Sequence, residues 1–367
     1  MKKPFPIRTF ALVAGCLGAF AAFAGEPCLE GGKWDAKCLR QQYQAPLKAW
    51  PAPRIEGGGD WREMAAVTPP DLPGSVPHAQ LRLGIRLFYD PALSASGELA
   101  CASCHRPEQA FADTLPVTPG HEGRKGKRNA PALVTASHST SLFWDGRSPT
   151  LEHQALGPIA DPAEMAMALD RLPAKLQAIA GYPEDFARAY GDPAITLERL
   201  QSALAAYQRT LVPAATRFDD FLRGKSDAYS DQEVLGLHLF RTKAGCMTCH
   251  HGPALSDNKF HNLGLTYFGR KYEDLGRYNV TGDARDVGKF KTPTLRNVAR
   301  SAPWMHNGLF PSLRGVVNMY NAGMFRPKPQ NAAQAADPRF PVTSELLKPL
   351  DMNQEEIRAV EAFLRTL

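Results

Sequence analysis

The sequence lacks three features that would place the protein in common functional classes. Beyond residue 24 it contains no apolar run long enough to span a bilayer. It has little excess charge: the net charge is +6, and +3 once the cations of the first 24 residues (Lys2, Lys3 and Arg8) are removed, which is too small to indicate nucleic-acid binding. It also lacks alternating strand patterns, so we expect a mostly α-helical fold.

The first 24 residues are organised like a secretory signal peptide. A basic start is followed by an apolar stretch over residues 10–23, and Ala22-Phe23-Ala24 fits a signal peptidase site. We therefore expect export to the periplasm. Two alternatives are a lipoprotein acylated at Cys16, which ends Val-Ala-Gly-Cys, and a single membrane anchor.

Cysteines are few, seven in 367 residues, and four of them form two copies of one motif. The copies are Cys101-Ala-Ser-Cys104-His105 and Cys246-Met-Thr-Cys249-His250. Cys-x-x-Cys-His attaches c-type haem, because the thiols form thioethers to the porphyrin and the histidine ligates the iron. Thioredoxin-like and zinc chemistry also use Cys-x-x-Cys, but two copies ending in histidine in an exported chain favour two covalent haems.

Cys28 and Cys38 remain after the leader and the haem motifs are counted. They lie ten residues apart in a Gly-rich stretch, where a disulfide would order a loose extension in an oxidising compartment. The alternative is two free thiols.

Each haem motif follows a helical pattern that contains Leu-Gly-x-x-Leu-Phe, at residues 83–88 and 235–240. The repetition indicates an internal duplication of one haem-binding helical unit. We therefore predict two cytochrome c-like haem domains with an irregular N-terminal extension. The predicted bounds are 1–24 for the signal peptide, 25–75 for the extension, 76–225 for the first haem domain and 226–367 for the second.

Apolar periodicity and punctuating prolines place the individual helices. Ser230 and Glu233 form a capping box before the helix that precedes the second haem motif. The other helical predictions cover residues 77–89, 163–180, 184–224, 312–320 and 353–367. Within 184–224, Pro193 and Pro213 delimit an amphipathic run over residues 197–211.

Between and after the haem motifs, several short motifs follow in a fixed order. They are Arg-Asn-Ala-Pro at 128–131, Phe-Trp-Asp-Gly-Arg at 143–147, Gln-Ala-Leu-Gly-Pro-Ile at 154–159, Asp-Pro-Ala-Glu-Met at 161–165, Phe-Lys-Thr-Pro-Thr-Leu-Arg-Asn at 290–297 and Pro-Trp-Met-His-Asn-Gly at 303–308. From about residue 78 to the C-terminus this arrangement resembles the bacterial di-haem cytochrome c peroxidases and the related MauG enzymes.

The resemblance implies that the first haem is the peroxidatic one. His105 would be its proximal ligand, and Gln154, Pro158 and Glu164 would line its distal pocket. From the residues alone, Glu164 also fits a charge in the first turn of a helix.

Two further residues are implied to serve the first haem. Trp144 would carry electrons or holes between the haems, although core packing is the commoner fate of tryptophan. His121 would be a removable sixth ligand, or else a solvated loop histidine. Asp145 and Arg147 are interpreted as structural, pairing with one another or with a haem propionate.

The second haem would have His250 as proximal ligand. Tyr320 falls at the position of its distal ligand, which is tyrosine in MauG and usually methionine in the peroxidases. Three methionines compete with it, namely Met305, Met319 and Met324. The resemblance also implies one calcium ion between the domains, held by Asn129, Ser301 and Pro303.

These expectations support three functions. The first is a periplasmic peroxidase that reduces hydrogen peroxide with electrons from a small cytochrome c or cupredoxin. The second is a MauG-like enzyme that oxidises tyrosine or tryptophan side chains of a partner protein. The third is a di-haem electron carrier, which would need neither Glu164 nor Gln154 nor Trp144. The oligomeric state stays open, a homodimer included.

Overall fold

The computed structural model describes residues 27–68 and 77–367, together with Met1. The predictions for the signal peptide and for Cys16 lie outside these residues. Within the described ranges, no helix combines the length and apolarity needed to cross a membrane. The helices are α1 (Ala36–Gln44), α2 (His78–Tyr89), α3 (Cys101–Cys104), α4 (Leu151–Ala160), α5 (Leu172–Gln177), α6 (Tyr182–Tyr190), α7 (Leu197–Arg209), α8 (Arg217–Leu222), α9 (Asp231–Arg241), α10 (Tyr278–Thr281), α11 (Leu313–Asn321), α12 (Ala332–Ala336) and α13 (Gln354–Leu364).

The strands in the described part of the chain are short and form two antiparallel pairs. They are β1 (Leu29–Glu30) with β2 (Lys33–Trp34), and β3 (Phe260–Asn262) with β4 (Lys289–Lys291). In the second pair His261 stands opposite Phe290. The predicted mostly α-helical class is confirmed.

Glycine allows the helix that precedes each haem motif to pack tightly against a later helix. A β-carbon at Gly84 of α2 would lie 2.0 Å from the carbonyl oxygen of Ala203 in α7. A β-carbon at Gly236 of α9 would likewise lie 2.0 Å from the carbonyl oxygen of Ala359 in α13. The two helix pairs therefore share one close contact at equivalent positions, which supports the predicted duplication.

Two hydrophobic clusters form the interior. The first core draws its buried side chains from residues 83–211 and is built around α2, α4, α5, α6 and α7. The second core is built around α1, α8, α9, α11 and α13. Phe218 and Phe221 of α8 belong to the second core, which therefore begins before residue 226.

The N-terminal arm, residues 27–68, is more regular and more buried than predicted. It contains α1, and Leu39, Tyr43, Trp50 and Met64 are buried in the second core. Arg241 of α9 ties the arm down, since its guanidinium donates to Glu63 at 2.5 and 2.9 Å and to the carbonyl of Pro51.

The predicted disulfide in this arm is confirmed. Cys28 and Cys38 are bonded, with their Cα atoms 5.5 Å apart. The bond joins the β1–β2 hairpin to α1, so it closes a local loop at the edge of the second core.

One helix prediction between the haem motifs was too long. Residues 163–180 contain only α5, because residues 162–165 form a turn after α4. Within residues 184–224 the breaks lie near the two prolines: α6 ends at Tyr190, before Gly191 with its φ of +89°, and α7 begins at Leu197, as predicted, and ends before Pro213. The helices α2, α11 and α13 agree with prediction within three residues, and the capping box of Ser230 and Glu233 is present.

Replacing Gly236 with alanine tests the close contact between α9 and α13. The new methyl group would meet the backbone of Ala359, so we expect the free energy of unfolding to fall by about 3 kcal/mol, the upper end for an overpacked core. Urea unfolding of the haem-loaded protein measures the change. Gly59→Ala is the control: its φ is −75° and no atom lies within 4 Å, so equal losses in both variants would contradict the packing argument.

Candidate haem centres

One continuous cavity of about 1030 Å³ lies between the two cores and is lined by both Cys-x-x-Cys-His motifs. Equivalent residues of the duplicated helix pairs form matching walls. Phe88, Leu204 and Gln208 line the part beside the first motif, and Phe240, Val360 and Leu364 line the part beside the second. The duplication has therefore placed two similar half-sites in one cavity.

Both motif histidines are oriented by a backbone carbonyl. The Nδ1 atom of His105 lies 2.9 Å from the carbonyl oxygen of Phe111, and that of His250 lies 2.9 Å from the carbonyl oxygen of Leu255. Since a carbonyl only accepts, Nδ1 carries the proton and Nε2 is left free for iron. Burial lowers the pKa of both histidines, which keeps the imidazoles neutral.

The four motif cysteines are half-buried in the cavity wall. Burial raises the pKa of Cys101 to about 12, that of Cys104 to about 11 and that of Cys246 to about 12. Paired protonated thiols next to a neutral histidine suit addition to the vinyl groups of haem and ligation of its iron. The residues therefore fit two haem c groups.

His261, which lies beside the second motif, had no predicted role. The Nε2 atom of His261 lies 2.8 Å from Asp257, and Cys249 lies near both. Burial alone would lower the pKa of His261, but Asp257 and Cys249 outweigh it and raise this pKa to about 10. The Asp-x-x-x-His spacing was the only sequence signal for this ion pair, which anchors the segment after the motif to β3.

The part of the cavity beside His105 contains the predicted acid. Gln154 and Pro158 of α4 line it, and so does Glu164. Glu164 lies in the turn of residues 162–165, so its reading as a helix N-terminal charge is wrong. Burial raises the pKa of Glu164, Asp161 raises it further, and Arg147 opposes the increase.

His121 lies beside this part of the cavity rather than in its described lining. Its backbone N–H donates to the carbonyl of Glu164 at 2.7 Å, and a β-carbon at Gly120 would lie 2.1 Å from the carbonyl oxygen of Ala163. The Nδ1 atom of His121 is buried, with no hydrogen-bond partner among the described residues. The loop thus holds His121 against the backbone of the segment that carries the acid.

Tyr320 and Met305 both line the cavity, and Tyr320 lies close to Cys246 and Cys249 of the second motif. Neither Met319 nor Met324 is part of its described lining. Burial raises the pKa of Tyr320, and the nearby Cys249 and Cys246 raise it further. Among the four sequence candidates for a distal ligand, Tyr320 and Met305 therefore line the cavity, and Tyr320 is the one placed near the second motif.

Trp144 also lines the cavity, where its indole N–H donates to the carbonyl of Asn129 at 2.9 Å. Its ring meets His306 edge to face, with the centroids 6.4 Å apart. His306 in turn stacks on Phe290 at 3.6 Å. Burial lowers the pKa of His306 to about 4, so this aromatic cluster is uncharged.

His306 had no predicted role, although the internal duplication places it at the position equivalent to Trp144. Residues 142 and 148 form an isolated bridge around Phe143 and Gly146, which have positive φ. Residues 304 and 310 form the equivalent bridge around Met305 and Gly308. This alignment makes His306 the counterpart of Trp144.

Ion pairs between the two halves surround this cluster. Arg128 donates to both oxygens of Asp274, at 2.7 and 2.9 Å, and to Asp145 at 2.6 Å. Arg147 also donates to Asp145, which confirms their predicted pairing. Burial alone would raise the pKa of Asp274, but the hydrogen bonds from Arg128 lower it.

The three predicted calcium residues lie on the same cavity, although far apart in the chain. Asn129 uses its amide N–H groups on the carbonyls of Leu115 and Pro116. No hydrogen bond from a described residue reaches its Oδ1 atom, nor the carbonyl oxygens of Ser301 and Pro303. Amide and carbonyl oxygens are donors that suit a hard cation such as calcium.

A shared cavity with two haem-attachment motifs defines the class of this protein, a c-type cytochrome with two haem sites. The family described as di-haem cytochrome c peroxidase matches residues 78–227. The cytochrome c551 peroxidase of Nitrosomonas europaea is 33% identical, covering 78% of this chain and 78% of that protein. The methylamine utilization protein MauG of Methylorubrum extorquens is 35% identical, covering 80% and 82%. The chain belongs to the di-haem cytochrome c peroxidase and MauG family.

Solved structures extend the similarity to the fold. A MauG-like protein associated with microbial copper homeostasis is 32% identical and superposes with a TM-score of 0.73, covering 84% of this chain and 95% of that chain. The di-haem peroxidase BthA of Burkholderia thailandensis is 27% identical, with a TM-score of 0.69 and coverage of 86% and 93%.

The double variant Cys101→Ser with Cys104→Ser tests haem attachment at the first motif. Without thiols no thioether forms there, so we expect the number of covalent haems to fall from two to one. Intact mass spectrometry of the denatured protein measures the number. Cys28→Ser with Cys38→Ser, which opens the disulfide, is the matched control and should keep both haems. A mass that still includes two haems in the first variant would contradict the assignment.

Proposed function

We propose that this protein is a periplasmic peroxidase that reduces hydrogen peroxide to water at the haem held by His105. Electrons would come from a small cytochrome c or cupredoxin through the haem held by His250. The observation that carries the proposal is the difference between the two half-sites. A buried acid with a raised pKa, Glu164, lines the first, whereas the phenol of Tyr320 lines the second.

Peroxide reduction needs a proton to move between the two peroxide oxygens. When bound, the haem supplies the iron on which peroxide is held and the electrons that reduce it. Glu164 can take the proton from one oxygen and return it to the other, so that water leaves as the oxygen–oxygen bond breaks. The Gln154 amide, on the same wall, can hold the peroxide by hydrogen bonds.

Charge must also pass between the two half-sites. Trp144 lies in the cavity wall, with its indole fixed by the carbonyl of Asn129 and its ring against His306. An uncharged aromatic pair between the halves suits electron transfer from the second haem to the first. We assign this role to Trp144, and we assign to the Asn129, Ser301 and Pro303 oxygens one structural calcium ion.

A MauG-like activity is the second candidate, in which the same oxidising equivalents act on tyrosine or tryptophan of a partner protein. Tyr320 favours it, since a phenol rather than Met319 or Met324 faces the second motif. A di-haem carrier is the third candidate. It accounts neither for the raised pKa of Glu164 nor for the placement of Gln154 and Trp144.

Replacing Glu164 with glutamine removes the proton carrier while keeping its shape. We expect peroxide turnover to fall about 10²- to 10⁴-fold, the usual contribution of a general acid–base group. The carboxylate must be ionised to accept the first proton, and its pKa is raised above the ordinary 4.5. The unmodified enzyme should therefore lose activity as the pH falls, with a midpoint above pH 4.5. Steady-state rates against pH measure both effects.

Glu98→Gln is the matched control, because this exposed acid lies in the same half of the protein but outside the described cavity lining. It should keep both the rate and the acid midpoint. If Glu164→Gln also kept them, the proposed proton transfer would be wrong.

Spectra of oxidised and half-reduced protein, followed by peroxide, separate the three candidates. A high-spin haem that appears only after half-reduction indicates a peroxidase in which His121 is a removable ligand. A high-spin haem present from the start indicates the MauG-like enzyme. Two low-spin haems without any response to peroxide would leave only the carrier.

Tyr320→Phe tests the ligand of the second haem in the same spectra. If the phenol ligates iron, its removal changes the low-spin signal. Met319→Leu is the control one residue away, outside the described lining, and should leave the signal unchanged. An unchanged spectrum in Tyr320→Phe would transfer the assignment to Met305.

A further inference from the structure

The duplicated helix pairs differ at two positions where only the first half carries oxidisable side chains. In the first half, the ring of Tyr207 meets Phe88 with centroids 5.1 Å apart. In the second half, Phe363 meets Phe240 at the same 5.1 Å. Tyr207 follows Ala203 by four residues, as Phe363 follows Ala359, so the two rings occupy equivalent positions.

The second difference lies at the residue that follows Phe88 in α2 and Phe240 in α9. Tyr89 ends α2, and its counterpart at the end of α9 is Arg241. The hydroxyl oxygens of Tyr89 and Tyr207 are 3.2 Å apart, a hydrogen bond in which either can donate. Arg241 instead binds Glu63 of the N-terminal arm.

These two tyrosines connect the first half-site to solvent. Phe88 is 1% exposed, lines the cavity and contacts the ring of Tyr207, so it connects the first haem site with that tyrosine. Tyr207 is 9% exposed, whereas Tyr89 is 41% exposed. A phenol loses its proton when it loses an electron, and the hydroxyl of Tyr89 can release that proton to water.

We propose that Tyr207 and Tyr89 form a second oxidation site, at which peroxide-derived oxidising equivalents leave the first haem and oxidise small phenols at the surface. The proposal rests on the proposed peroxidase function. The second half, which would take electrons from the protein donor, has Phe363 and Arg241 at these positions and therefore no such exit.

With haem bound at the first site and oxidised by peroxide, Tyr89 would give up one electron by way of Tyr207. Its hydroxyl proton would go to water, which would leave a neutral tyrosyl radical. An external phenol then gives one electron and one proton to that radical and restores Tyr89. Two such events consume both oxidising equivalents of one peroxide, so two phenols become phenoxyl radicals and two water molecules form.

Tyr89→Phe tests this site with guaiacol as the phenol. We expect peroxide-dependent guaiacol oxidation to fall about tenfold, a loss equal to about 1.4 kcal/mol of barrier. Peroxide consumption with ascorbate as the electron source should stay within about twofold, since the first half-site is intact. In the unmodified protein, a nitroso spin trap added with peroxide should label Tyr89, as read by peptide mass spectrometry.

Two further variants complete the test. Tyr207→Phe, which keeps the ring packing on Phe88, should abolish the label on Tyr89 as well. Tyr272→Phe is the control, because this tyrosine is 53% exposed but lies in the second half, and it should change nothing.

Unchanged guaiacol oxidation in both Tyr89→Phe and Tyr207→Phe, with normal peroxide consumption, would overturn this proposal alone. If the unmodified protein consumed no peroxide with either electron source, the proposed peroxidase function would fall, and this site with it.

Discussion

One half-buried guanidinium, that of Arg128, binds a carboxylate on each side of the boundary between the two haem half-sites. Arg128 follows the first haem motif and binds Asp145 of the same half and Asp274 of the other half. Asp145 and Asp274 are buried, so each carboxylate needs this cationic partner to offset the cost of its desolvation. Trp144 precedes Asp145 directly and meets His306 across the boundary, so the aromatic contact between the halves depends on the same ion cluster.

Duplication explains both the similarity and the division of labour of the halves. The helix contacts, the carbonyl that orients each histidine and three positions of each cavity wall are repeated. The side chains that carry chemistry are not repeated. The first half has Glu164 and a tyrosine pair, whereas the second has Tyr320 and is covered by the N-terminal arm. Selection could thus change reactivity on a fixed scaffold, because reactivity resides in a few wall positions.

Local signals predicted the parts of this structure that local interactions determine. The haem motifs, the disulfide and the capping box of Ser230 are encoded within short stretches, and each was predictable. Residues 163–180 were mistaken for one helix because their composition is helical while a turn, fixed by hydrogen bonds to Pro158 and Asp161, interrupts them. The pairing of Arg128 with Asp274 spans 146 residues and left no periodic signal. His306 could have been found only by aligning the two repeats.

The second core is discontinuous in sequence, so a nascent chain cannot complete it until the C-terminal helix has been made. Leu39 and Met64 of the arm are synthesised long before α9 and α13, on which they are buried, whereas the first core is complete once residue 211 has been made. The arm's apolar side chains must therefore wait without partners, while the local Cys28–Cys38 bond can already form. During that interval the arm exposes apolar side chains, and the first core can pack before the second.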